Sequence, residues 1–392
     1  MKTTEPSPPI KIIFDAVPVA NATLTGVGKT TKGLIEALAH SYPDELELVG
    51  HYFSFLGKND HIDLPTAPNI RYRRSRLVPG KVYNMLRRLR VPVPYELLTK
   101  ERADFHLFPG FLGWPSLLRT PSATFFHDIT YITNPEYVSG PNCYDLTRLM
   151  PGVVERASFV ITNSESSKRG IIDAYGTPSD KIVVEHIPTV DTVQITQTDA
   201  DTRIKKLGIT GPYLLFFGTL EPRKNLVGLM QAYEKLPDDL RQKYTLVITG
   251  KKGWKDEEIL VTLERLRRSG AHILQTGYVS DEDRAALFMN TALYLMPSHY
   301  EGFGMQLLEG MTYGCPMLVS DIPVLREVAG DAARYCATDP DSIAKAITTL
   351  LSDKRAQQLL VAAGRKRLQY FSWDKVAQDV YAKIVESIKT AH

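Results

Sequence analysis

Short apolar runs alternate along the chain with longer stretches of helical spacing, in two successive blocks. In the first block IKIIFDAVPV (10–19), LELVGHYF (46–53), DFHLFPG (104–110), SATFFHDIT (122–130) and KIVVEHIP (181–188) read as strands, and SFVITNSES (158–166) as a strand followed by a capped helix start. Between them, KTTKGLIEALAHSY (29–42) sets Leu34, Ile35 and Leu38 at helical spacing. NCYDLTRLMPGVVERA (142–157) also reads as a helix, and Pro151 within it predicts a break or a kink. The second block repeats the pattern with PYLLFFG (212–218), YTLVITG (244–250), HILQTG (272–277), ALYLMPS (292–298) and CPMLVS (315–320). Helical stretches such as NLVGLMQAYEKL (225–236) lie between these strands. The polar segment TVDTVQITQTDADT (189–202) reads as a linker. The alternation predicts an α/β protein of two doubly wound domains, 1–190 and 203–372, facing each other. Ligands are then expected in the cleft, at the carboxyl ends of the strands.

Composition changes this picture little. The 392 residues suit two or three domains. At 43% apolar and 23% charged, the chain is neither disordered nor a disulfide scaffold. Cys143, Cys315 and Cys336 form no CxxC pair, which fits a reducing compartment. The opening MKTTEPSPPI has no apolar signal core, and no apolar run has the length of a membrane span. The expected location is cytoplasmic, with a peripheral position on the inner face of the plasma membrane left open.

Charge matters more in its distribution than in its sum of +3. Residues 71–90, RYRRSRLVPGKVYNMLRRLR, hold eight cations and no acid. One reading is a solvated basic face. The other is docking on anionic lipid, with Val78, Val82, Tyr83, Leu86 and Leu89 as the apolar groups. No nucleic-acid-binding fold accompanies the stretch, so nucleic acid is not expected.

Three segments carry candidate chemistry. TGVGKTT (25–31) ends like a phosphate-binding P-loop, but Thr23 stands where that motif needs its first glycine. Gly26 and Gly28 still lie between a strand and a helix expected to start near Lys29. Backbone N–H groups there either meet an anion or sugar hydroxyl or make an ordinary turn. In FFGTLEPRKNLVGLMQAY (216–233), Arg223 and Lys224 follow the end of a strand. A guanidinium fork beside an ammonium can hold a diphosphate leaving group without a metal. In PSHYEGFGMQLLEGMTYGCPMLVSDI (297–322), Glu301 precedes Gly302 and Gly304, and Glu309 lies in an apolar helix. A carboxylate there needs hydrogen-bond donors, and ribose hydroxyls qualify. Ser164 has no nucleophile elbow around it and reads as a helix cap.

At these residues the chain resembles the retaining, sugar-nucleotide-dependent glycosyltransferases of family 4, in their mannosyltransferase-like part. The matching segments are GTLEPRKN and the Glu301-to-Glu309 stretch, together with FFHDITYITNPEY (125–137), RASFVITNSESSKRGI (156–171), DIPVLREVAGDAARY (321–335) and FSWDKVAQDVY (371–381). The resemblance implies the GT-B architecture, with a last helix, 373–392, returning to the first domain. It implies that Arg223 and Lys224 hold the donor diphosphate, with Gly218, Gly302, Phe303 and Gly304 around the donor. Glu309 would bind ribose, and Glu301 the transferred sugar. His127 would sit by the reacting face, where a neutral or charged imidazole donates to a hydroxyl or to developing negative charge. Asp128 would support it, and Gly26 and Gly28 would approach the phosphates and acceptor.

No cofactor or metal is implied. The partners would be a nucleoside-diphosphate sugar, with GDP-mannose favoured, and a glycan or lipid-linked acceptor. Gln306, Gly310 and Asp321 depart from residues frequent in the family. The alternatives are a non-catalytic sugar-nucleotide-binding scaffold, or a GT-B epimerase or phosphorylase.

Overall fold

The computed structural model describes residues 8–20, 24–54, 64–75, 82, 85–86, 89, 91, 93–111, 113–189 and 192–391. The chain forms two compact units. The first takes Met1–Thr133, Gly140–Val190 and Ser372–His392, and the second takes Asn134–Ser139 and Asp191–Phe371.

The first unit holds a parallel sheet of β1 (Ile10–Asp15), β2 (Leu46–Phe53), β3 (Ile70–Ser75), β4 (Phe105–Phe108), β5 (Ser122–Phe126), β6 (Phe159–Thr162) and β7 (Ile182–Val184). Their order is β3-β2-β1-β4-β5-β6-β7. Helices cover both faces, so β4 and β6 are buried at every position. That is why they read as continuous apolar runs. The last helix, Trp373–Ala391, packs on the helix Gly26–Ser41 and buries Val376, Ala377, Val380 and Ile384 in the first core. The two helices approach so closely at Gly33 that a Cβ there would overlap the Trp373 ring.

The second unit holds β8 (Tyr213–Phe217), β9 (Thr245–Thr249), β10 (Ile273–Gly277), β11 (Leu293–Met296), β12 (Met317–Ser320) and β13 (Arg334–Cys336), in the order β10-β9-β8-β11-β12-β13. Alternation along β8 divides its side chains between two cores. Tyr213 and Leu215 enter one, and Leu214 and Phe216 the other.

Several sequence expectations need correction. The segment Ile70–Ser75 is an edge strand paired to β2, in which only Ile70 and Tyr72 pack toward the first core among arginines. The helix Gly140–Arg156 continues through Pro151 without a break. The helix Gln197–Lys206, capped by Thr196, starts inside the expected linker and runs past its end at 202. It packs on the helix Asp281–Asn290 in the second unit, where Arg203 pairs with Asp283 at 2.7 Å. Its helix-forming composition was masked by the scarcity of large apolar residues. The first helix begins at Gly26, so Gly26 and Gly28 form its first turn instead of a preceding loop.

Candidate active site

The order of the second sheet reverses between β8 and β11, which are neighbours running parallel. The carboxyl ends of such a strand pair open a crevice, because the loops that follow lead to opposite sides of the sheet. Arg223 and Lys224 follow β8, and Glu301 follows β11. The fold thus brings together residues 77 and 78 positions apart in the chain.

Lys224 Nζ donates to Glu301 Oε1 at 2.6 Å, and Arg223 Nη1 donates to Glu301 Oε2 at 2.5 Å. Ser298 Oγ adds a 2.7 Å hydrogen bond to Oε1. Burial alone would raise the Glu301 carboxyl, but Arg223 and Lys224 outweigh it and hold the group down at about 2. Glu301 is therefore ionised throughout the neutral range. The backbone joins the same loops, with His299 N–H donating to the Arg223 carbonyl at 2.8 Å.

Glu221 is a member of this cluster that the sequence reading missed. Its Oε1 lies 2.7 Å from Arg223 Nε, and the side chain is buried. The signal was present in GTLEPRKN, where an acid stands two residues before the arginine. Asn225 follows the basic pair in the left-handed region at φ 56°. Its Nδ2 donates to the carbonyls of Pro297 and Thr338, at 3.0 and 2.8 Å. This amide ties the β8 loop to the loops after β11 and β13.

The glycines act through the backbone. Gly304 begins the helix Met305–Tyr313 at φ 93°, a conformation strained for any side chain. Gly250 crosses Gly218 so closely that a Cβ at Gly250 would strike the Gly218 carbonyl. Gly302 is buried beside Glu301. Phe303 does not present its ring to a ligand, because the ring packs in the core against Phe371 at 6.2 Å. Glu309 lies on the helix Met305–Tyr313, with Arg284 Nε 3.4 Å from its Oε1. Asp321 has a structural role, forming a two-pronged pair with Arg326 at 2.5 and 2.7 Å.

In the first unit, His127 follows β5 and stacks on Phe125 with ring centroids 4.5 Å apart. Its Nε2 is 2.9 Å from the Pro109 carbonyl, which can only accept, so Nε2 carries the proton. Burial pushes the imidazole down to about 4, against the opposing effects of Pro109 and Asp128. The ring is therefore neutral at pH 7, with its one N–H spent on Pro109. This corrects the expectation of a donor toward the sugar: Nδ1 remains as an acceptor. Asp128 Oδ1 accepts from Thr130 N–H at 3.0 Å and so shapes the turn after β5. Gly28 N–H goes to the Thr25 hydroxyl at 3.3 Å. A Cβ at Gly28 would lie 2.7 Å from the Pro18 carbonyl, so close backbone packing accounts for this glycine. Ser164 caps the helix Glu165–Tyr175 as expected, accepting from Ser167 N–H at 3.0 Å.

Residues 199–367 match the profile of the glycosyl transferases group 1 family. The chain is 30% identical over 378 residues to the O-antigen chain mannosyltransferase B of Escherichia coli, covering 93% of this chain and 97% of that protein. The chain belongs to the group 1 glycosyl transferases. Within this glycosyltransferase family it stands with mannosyltransferase-like members. The serotype-specific mannosyltransferase WbdA of Escherichia coli is 29% identical over 276 residues, 67% of this chain and 33% of that longer protein.

Solved structures support the GT-B fold of this transferase. Sucrose-phosphate synthase from Thermosynechococcus elongatus superposes with a TM-score of 0.72 at 18% identity, over 98% of this chain and 100% of that one. WaaG, a glycosyltransferase involved in lipopolysaccharide biosynthesis, gives 0.66 at 14% identity, over 95% and 98%.

Among the described residues, no helix of the transferase is long and apolar enough to cross a membrane.

Proposed function

We propose that this transferase moves mannose from GDP-mannose to a hydroxyl of a growing glycan or lipid-linked acceptor, retaining the anomeric configuration and needing no metal. The supporting observation is the cluster of partly exposed Arg223 with buried Lys224 and Glu301 at the β8–β11 switch point. Two cations there suit a diphosphate that gains charge as the glycosidic bond breaks. The Glu301 carboxylate suits the positive charge that develops at the anomeric carbon. The mannosyltransferase names of the relatives support the choice of sugar.

In this reading Glu309 receives the ribose hydroxyls. His127 accepts a sugar hydroxyl on Nδ1. The acceptor oxygen attacks from the face that the diphosphate leaves, and a diphosphate oxygen takes its proton. Incubating the purified chain with GDP-mannose, a synthetic mannoside and a chelator is expected to yield an α-linked product from the α-linked donor. An inverted product, or loss of transfer that returns with added metal, would contradict the corresponding part. Consumption of phosphate, or turnover without acceptor, would favour a phosphorylase or an epimerase instead.

Docking on anionic lipid is proposed in a narrower form than the basic stretch first suggests. Arg71 is spent on Glu47 and Glu101, and Arg73 on Glu101. Exposed Val82, Met85 and Leu89 remain as apolar contacts. Arg76, Lys81, Arg87, Arg88, Arg90, Val78 and Tyr83 lie outside the described residues. Co-sedimentation with phosphatidylglycerol vesicles is expected to fall when Arg87, Arg88 and Arg90 are neutralised together. Undiminished co-sedimentation would remove this role.

A further inference from the structure

The cations expected to receive a diphosphate do not stand alone. Arg223 and Lys224 are closed into a quartet with Glu221 and Glu301, two positive groups against two negative ones, in which Lys224 and both acids are buried and Arg223 is partly exposed. Glu221 is 1% exposed and Glu301 5% exposed. The diphosphate of a nucleotide sugar brings two further negative charges. The N-terminus of the helix Met305–Tyr313 offsets only about half a charge. A buried site is strongly penalised for a surplus of like charge, so one acid must lose its charge or the ligand binds poorly.

The two acids differ in what holds them. Glu301 keeps Lys224 and the Ser298 hydroxyl even when Arg223 turns toward a phosphate. Glu221 has Arg223 on one oxygen, while its other oxygen, Oε2, is buried with no hydrogen-bond partner among the described residues. Once Arg223 turns away, Glu221 loses its close ionic partner. The geometry therefore points to one acid.

We propose that Glu221 takes up a proton from solvent when the donor diphosphate binds, making donor binding proton-linked. The inference rests on the donor-site reading above. The step is Glu221 carboxylate plus a solvent proton giving the carboxylic acid. The neutral acid can then use Oε2 as a hydrogen-bond donor.

The charged groups acting on Glu221 are Arg223, Lys224 and Glu301, and burial already raises its carboxyl against the pull of the two cations. His299, on the loop that carries Glu301, is pushed down by burial and does not supply a charge near neutrality. The loop after β9 runs alongside through the Leu220–Lys252 bridge and carries Lys251, Lys252 and Lys255, all three exposed. Lys251 lies over the Tyr278 ring and Lys255 donates to the Glu136 carbonyl, and charges held in water offset little of a surplus in the buried part of the site.

Calorimetry of GDP-mannose and UDP-glucose binding to the full chain, in buffers of different ionisation enthalpy, reads the proton count directly. These donors carry no phosphate proton that titrates near neutrality. Wild-type protein is expected to take up about one proton per donor above neutral pH, with Kd weakening about tenfold per pH unit there. Glu221→Gln should bind the donor more tightly, with no proton uptake and a flat pH profile. A Glu221 that only supports the loop would instead weaken binding in the variant and leave the proton count unchanged.

Wild-type binding without proton uptake overturns the proposal and leaves the donor site intact. Uptake that persists in Glu221→Gln assigns the proton elsewhere and also overturns it. Failure of both donors to bind the wild-type chain removes the donor-site reading, and this inference with it.

Discussion

Glu301→Gln is expected to lower the transfer rate by about 10²- to 10³-fold while donor binding holds or tightens. The reason lies in the separate fates of the charges around it. Gln keeps the size and an oxygen for Lys224 but removes the carboxylate that would face the developing oxocarbenium ion. The loss then falls on kcat, because the interaction is stronger in the transition state than in the ground state.

Donor binding follows the opposite course. Arg223 and Lys224, released from one anion, become more available to phosphate. Alanine at the same position is a poorer probe. It would leave a buried cation without its partner, at about 3–5 kcal/mol of stability. Steady-state kinetics with a separate donor Kd measurement distinguishes the outcomes. A kcat within twofold of wild type would remove Glu301 from the chemistry.

The second large effect is acid destabilisation of the first unit. His51, His106 and His127 are all pushed down by burial to about 4. Neither ring nitrogen of His106 has a hydrogen-bond partner among the described residues, and the Tyr95 ring packs against it at 5.2 Å. A proton on this imidazole would be a buried charge in an aromatic pocket. The unfolded chain, with ordinary histidines, binds more protons than the folded one between about pH 6.5 and 4. Stability is therefore full above that window and falls as pH drops through it. The loss reaches about 3 kcal/mol per histidine at pH 4, and the three together rival the stability of an average domain.

Glu185 works in the other direction. Burial and nearby Asp379 raise it to about 8, against Lys375. The folded state then holds its proton between about pH 4.5 and 8, so this contribution is present at low pH and lost as pH rises through 8. Melting temperature against pH should show both limbs. His106→Leu should flatten the acid limb, and Glu185→Gln should remove the fall between about pH 6.5 and 8, where the histidines no longer contribute. An acid limb unchanged in His106→Leu would sink the assignment.

Much of this molecule was legible before any coordinates. The inner strands of both sheets are covered on both faces, and their apolar runs announce them. LELVGHYF and β2 have the same bounds, 46 to 53. Among the elements that escaped notice, β3 and β13 are edge strands and the helix Gln197–Lys206 lies on the surface. There the polar residues face water and pairing partners supply the order. At the candidate site, Arg223, Lys224 and Glu301 were chosen from their positions at strand ends, and the fold places them in direct contact. Glu221 was overlooked because a local reading takes an acid beside a basic pair for ordinary solvated charge.

The sequence by itself determined the strand and helix order, the alternation that demands parallel sheets, and the residue types available to meet a diphosphate. These follow from local spacing and need no knowledge of distant partners. Only the tertiary structure decided the charge state of the site. Burial at the β8–β11 switch point turns two apparent free cations into a balanced quartet. It was also the fold that committed the His127 proton to Pro109, and so made that imidazole an acceptor. Charge and proton positions depend on what lies a few ångströms away in space, and neighbours in the chain do not specify that.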